Sequence, residues 1–172
     1  MDRGTYVEYE GRPAVRFERT YRHPVGRLWA AISEPGELSH WFPASVALES
    51  RVGGKIEFTG DPHLESTVGS VLVFEPPHRL SYTWGSDELH FELVPVGDND
   101  CTLILIDVLE ATDAASRNAA GWHVCLAELG KLVAGEAADG PHSATAEAWQ
   151  PLYDGYVAAG LPSGASFPGS AK

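Results

Sequence analysis

The sequence predicts a single α+β domain in which a curved antiparallel sheet of about seven strands wraps on one long C-terminal helix. Three observations predict it. Residues 44–106 fall into short segments of alternating apolar side chains joined by tight turns, as consecutive antiparallel strands do. Trp122, Cys125, Leu126, Leu129, Leu132 and Val133 then recur at helical spacing, making one continuous apolar stripe. Upstream lie one strand and two short helical segments. A curved sheet and one amphipathic helix bury their apolar surfaces most simply when the helix crosses the concave face.

Taken in order, Ala14–Tyr21 alternates apolar and charged residues and reads as the first strand. Pro24 suits a first helical turn, and Leu28, Trp29 and Ile32 give that helix its apolar stripe. Pro35-Gly36 breaks it, and a second helical turn over Glu37–Trp41 stops before Pro43. Val46 and Leu48 share one strand face; Val52-Gly53-Gly54 turns the chain into the strand of Ile56 and Phe58. Thr67–Phe74 follows, closed by Glu75-Pro76-Pro77. Leu80, Tyr82 and Trp84 point one way, and Leu89, Phe91 and Leu93 repeat the pattern. Gly97-Asp98-Asn99-Asp100 turns into Leu103–Ile106, a strand apolar on both faces. The long helix takes Thr112 or Asp113 as cap and Gly135 as stop, with Glu128, Lys131 and His123 off the stripe and in water.

These elements place one domain in residues 1–135 and a linker, marked by Gly140-Pro141, in 136–146. Residues 147–161 form a C-terminal helix packed on the domain through Trp149, Leu152, Tyr153 and Tyr156, with Pro151 in its first turn. Residues 162–172, rich in Gly, Ser and Pro, read as a loose tail.

The chain has 172 residues, 44% of them hydrophobic, which suits one cored domain. Its net charge of -12 comes from 24 acidic against 12 basic residues, with no basic cluster to offset them. That field excludes nucleic acid and anionic membrane surfaces as partners. No stretch approaches the length of a membrane helix, and Met1–Tyr6 lacks the apolar core of a signal peptide, so the expected compartment is the cytoplasm. Cys101 and Cys125 match no metal or redox spacing and read as core hydrophobes. Monomer and homodimer are both compatible with this composition.

The catalytic signatures with a fixed spacing are absent, among them His-Glu-x-x-His, Gly-x-Ser-x-Gly and the phosphate loop. The histidines show no metal spacing, so no metal or cofactor is expected; His40, beside Trp41, could reach a pocket mouth. Trp41, Phe58, Tyr82, Trp84, Phe91 and Trp122 form either the lining of an apolar pocket or a solid core. Leu105, Cys125 and Leu126 join that lining by strand parity and helical position. Asp107 shares parity with Leu103 and Leu105. If that face is concave, a carboxyl group points into apolar space with a raised pKa; otherwise the strand has already left the core.

Several local strings resemble the activator of heat-shock protein 90 ATPase homologue family, within the START/Bet v 1-like (SRPBCC) superfamily. They are His23-Pro24 with Leu28-Trp29, Glu34-Pro35 with Trp41-Phe42, Gly53-Gly54-Lys55, Glu75–Trp84, and Gly121-Trp122 with Cys125-Leu126. The resemblance spans about residues 14–135. It departs at Asp107, where the family usually carries His or Thr. The resemblance implies a helix-grip fold with a cavity between sheet and long helix. It also implies the first functional expectation, binding of an apolar or aromatic small molecule without catalysis. A cyclase/aromatase-like enzyme using Asp107, Tyr82 or a histidine is the second. A chaperone-linked interaction module is the third.

Overall fold

The computed structural model of the chain describes residues 3–62 and 64–166. A hairpin of β1 (Thr5–Tyr9) and β2 (Arg12–Tyr21) leads into α1 (Val25–Ser33) and the single-turn α2 (Pro35–Leu38). Then come β3 (Ser45–Leu48), β4 (Lys55–Thr59), β5 (Thr67–Glu75), β6 (Arg79–Trp84), β7 (Asp87–Val96) and β8 (Asp100–Val108). The long helix α3 (Ala115–Val133) and a shorter α4 (Trp149–Ala158) complete the order. All strand pairs are antiparallel, in the order β1-β2-β8-β7-β6-β5-β4-β3. The sheet is therefore an α+β helix-grip sheet with free edges at β1 and β3, not a closed barrel.

It has eight strands rather than about seven. The extra one is β1, whose residues are all exposed or half-exposed, so it offers no alternation to read. Its turn, Glu10-Gly11, holds both residues at positive φ (51° and 79°), which suits a two-residue hairpin that follows strand twist. A second correction concerns β8. Leu103, Leu105 and Asp107 are buried, but Ile104 and Ile106 are half-exposed. Helix α1 packs on α3, β7 and β8, and α3 packs on β2, on the side of Leu103 and Leu105.

The grip helix starts differently from expectation. Neither Thr112 nor Asp113 caps it; Thr112–Ala114 is a 3-10 turn, and the chain beyond α4 supplies the partners instead. Ser116 N donates to Pro162 O at 2.8 Å, and Ser116 Oγ to Leu161 O at 3.0 Å. Arg117 Nη1 reaches Ser166 O at 2.7 Å, so residues 162–166 are tied down where a loose tail was expected. Residues 167–172 lie outside the described residues. The helix ends as expected: Gly135 sits at φ 78°, and Glu136 N and Gly135 N donate to Lys131 O and Leu132 O.

Two residues expected in water are not there. Glu128 is fully buried, because the segment after α3 folds back over it. Gly140 N donates to its Oε1 at 3.1 Å, and Lys131 Nζ, half-exposed, pairs with its Oε2 at 2.6 Å. His123 lies under α4, bonded through Nδ1 to Tyr156 Oη at 2.9 Å. Tyr156 is itself fully buried and accepts from Gly4 N at 2.8 Å, so α4 packs on both α3 and the start of β1. Trp149, Leu152 and Tyr153 are partly buried against the core.

Candidate functional site

Under the concave face, an aromatic cluster occupies space between sheet and helix. Phe42, at the end of the turn after α2, inserts between sheet and helix. Its ring centroid lies 5.9 Å from Phe58, 5.1 Å from Trp84 and 5.6 Å from Trp122. Trp41 seals the space behind it, its Nε1 donating to Ala31 O at 2.8 Å. Trp41, Phe58, Tyr82, Phe91, Leu105 and Leu126 are consequently solid core, each almost completely buried. Their parity is as expected, but Phe42 fills the room they would have lined.

Beside Phe42, along the N-terminal half of α3, lies a half-open cleft of about 1020 Å³. Trp84, Asp107, Trp122 and Cys125 are among the residues that line it. Trp84 and Trp122 meet edge to face with centroids 5.8 Å apart and make its apolar floor. Gly121, on the same helix, opens the floor further: a Cβ built there meets nothing within 4 Å. The opposite wall comes from Asp61, Leu64 and Glu65 after β4, and from Pro141, His142 and Trp149. His40 takes no part in this cleft; its Nδ1 lies 3.1 Å from Ala138 O.

The polar centre of the cleft is a pair of carboxyl groups. Asp107 faces the concave side on β8, where its cross-strand partner on β7 is Leu89. Asp87 lies two residues before Leu89, on the same face and diagonal to Asp107, which brings the two side chains within reach. Asn118 Nδ2 spans them, 3.0 Å from Asp87 Oδ2 and 3.0 Å from Asp107 Oδ2. Trp122 Nε1 donates to the same Asp107 Oδ2 at 3.0 Å. Glu110 N donates to Asp87 Oδ1 at 2.9 Å.

Asp107 is 1% exposed. Burial first, and the charge of Asp87 second, push its pKa well above the ordinary carboxylate range, with Trp122 and Asn118 pulling the other way. Its two oxygens have distinct roles. Oδ2 receives two N–H donors; Oδ1 meets no donor among the described residues. Oδ1 is the oxygen that can carry a proton with both N–H bonds to Oδ2 left in place. The alternative in which the strand has already left the core at this position is overturned by that burial.

Burial also raises the pKa of Tyr82, an acid–base candidate, and of Cys125, an expected lining residue. Tyr82 is outside the cleft and burial pushes its phenol pKa up. Cys125 is in the cleft wall, but burial, then the charges of Asp61 and Glu128, hold it as a thiol. Among the described residues no three His, Cys, Asp or Glu side chains converge as a metal set. No helix of the described residues is long and apolar enough to cross a membrane.

Asp87, Asn118 and Gly121 were not anticipated. Asp87 follows the Gly85-Ser86 turn and reads as a turn residue. Extending the parity of Leu89 and Phe91 back by one step would have found it. Asn118 lies one helical turn before Trp122, on the same face, which is the signal that could have marked it.

The family model described as "Activator of Hsp90 ATPase homolog 1-like protein" matches residues 22–134. No curated protein matches the chain in sequence. Among solved structures, the chain is similar to a conserved protein of unknown function from Enterococcus faecalis. The two are 20% identical with a TM-score of 0.74, over 91% of this chain and 89% of that one. CalU16 from Micromonospora echinospora is 22% identical with a TM-score of 0.71, over 91% and 90%. DynU16, a protein in the dynemicin biosynthetic locus, is 20% identical with a TM-score of 0.63, over 74% of this chain and 50% of that one. At these identities the solved structures establish the fold alone.

Proposed function

Since the chain belongs to the Activator of Hsp90 ATPase homolog 1-like family of the SRPBCC superfamily, we propose that it binds a small molecule with an apolar or aromatic body in the cleft beside α3. One observation carries this reading: a cleft of about 1020 Å³, floored by Trp84 and Trp122, has a buried carboxyl group at its centre. Sites for small molecules are built this way, apolar in area with a few polar groups that orient the ligand. The fold shared with CalU16 and with DynU16, itself in a biosynthetic locus, is in keeping with it.

The test is titration with Nile red, a neutral apolar dye. Dye binding to the wild type should fall at least about tenfold in Gly121→Phe, since the new ring occupies the cleft with no overpacking of the core. Binding unchanged by that substitution would place the dye elsewhere and remove the support for this cleft.

A second reading, an acid–base enzyme of the cyclase kind, is favoured by the Asp87–Asp107 pair. Burial and the charge of Asp87 raise the pKa of Asp107, as a general acid needs, and a second carboxyl group lies beside it. Native mass spectrometry of freshly purified protein separates the two. A retained ligand returned unchanged after incubation supports binding; its conversion, lost in Asp107→Asn, supports the enzyme.

A further inference from the structure

The charges around the cleft specify more than apolarity. Asp61, Glu65, Asp87, Asp107 and Glu110 line it, against Arg117 and His142. Both cations are already engaged. Arg117 holds Ser166 O at 2.7 Å and Asn118 Oδ1 at 3.0 Å. His142 holds Pro43 O at 2.9 Å and faces Asp61 at 3.9 Å. An anionic ligand would meet five acidic residues against Arg117, whose charge its neutral partners leave in place, and His142, within a chain of net charge -12.

Acidic residues at a rim are often only solvated. Here one carboxyl is different: Asp107 is 1% exposed, lines the cleft, and has an Oδ1 with no donor among the described residues. Two carboxyl groups bridged by Asn118, one of them with an oxygen that meets no donor, are a place where a cation can stand. The aromatic floor beside it, Trp84 and Trp122, gives the apolar body of such a ligand a surface to lie on.

We infer that the cleft takes a lipophilic cation, a protonated amine or amidine whose charged group docks on Asp87 and Asp107 while its apolar body lies on Trp84 and Trp122. This rests on the cleft being the binding site. The exchange balances as one ammonium entering and one proton leaving Asp107 Oδ1 for solvent. Asp87 on β7, Asn118 and Arg117 on α3, and Glu110 beyond β8 surround that proton. Asp61, Glu65 and His142 face it across the cleft. Amine affinity therefore rises with pH, by up to about tenfold per unit while Asp107 still holds its proton.

The experiment compares three ligands with one ring system: naphthalene-methylamine, naphthalene-methanol and naphthoate, each by calorimetry and by displacement of Nile red. The amine should bind at least about tenfold more tightly than the alcohol, the advantage of a partly desolvated charge pair, and naphthoate most weakly. Asp107→Asn should erase the preference for amine over alcohol and its pH dependence. Asp87→Asn supplies the same test should the first variant fold poorly. Equal affinity for amine and alcohol, or tighter binding of naphthoate, overturns the inference and leaves the binding reading standing. Failure of all three ligands and of Nile red overturns both.

Discussion

The indole N–H of Trp122 on α3 donates to Oδ2 of Asp107 on β8 across 3.0 Å, tying the grip helix to the last strand. That bond gives a buried carboxyl one satisfied oxygen and leaves the other for a proton. Its geometry ties the stability of the domain to pH.

Asp107→Asn tests the link. A carboxyl whose folded pKa is raised adds stability in full below its unfolded value of about 4 and loses it as pH rises through the folded value. Burial and Asp87 raise Asp107 in this way. Asparagine keeps the acceptor for Trp122 and has no proton to lose. Denaturant melts should show the variant gaining on the wild type as pH rises above about 4, then holding level. A difference that does not vary with pH would sink the assignment.

Gly121 should be improvable. It lies inside α3, its Cβ position opens onto the cleft, and its backbone is ordinary helix. Gly121→Ala should raise stability by about 0.5–1 kcal/mol, through helix propensity alone. A loss of stability on thermal melting would mean that the helix face at this point is closed.

Leu126 distinguishes core from cleft. It is 1% exposed and belongs to the packed cluster. Leu126→Trp should cost about 1–3 kcal/mol by overpacking. Dye affinity, measured where the variant is still folded, should stay at the wild-type level. A stable variant that loses dye binding would show a void beneath α3.

Tyr156 tests whether α4 is integral. Its hydroxyl accepts from Gly4 N and bonds His123, so Tyr156→Phe leaves a buried N–H without its partner. The cost should be about 1–3 kcal/mol. Truncation after Gly140 should do more, lowering the melting temperature or causing aggregation, because it uncovers His123 and the apolar side of α3. An unchanged melt for the truncated chain would show α4 to be an independent arm.

The meander from β3 to β8 was legible because most of its strands alternate and its turns carry Gly, Pro or Asp, while β8, apolar at four successive positions, showed a strand but not its buried face. β1 was not, since a strand with no buried face has no pattern to display. Within the site, parity found Trp84 and Asp107, and helical spacing found Trp122 and Cys125. What neither could show is where a loop brings its side chains. Phe42 follows α2 with no periodicity to aim it, yet it decides which apolar residues are core and which line a cleft. Glu128 fails for the same reason: its burial depends on Gly140 returning to it. Asp87 was hidden by a turn that looked sufficient to explain it.

The strand order has a kinetic consequence. β2 pairs on its inner side with β8, Val15 opposite Asp107, whereas β3 to β8 each pair with the strand before or after them in the chain. The meander can zip up through near-neighbour contacts, but the N-terminal hairpin must wait for the last strand and close a very long loop to reach it. Until then β8 has a bare edge that carries Leu103, Leu105 and Asp107. On the ribosome, the hairpin is made first and seated last, and that interval is when the chain is most open to pairing with a neighbour.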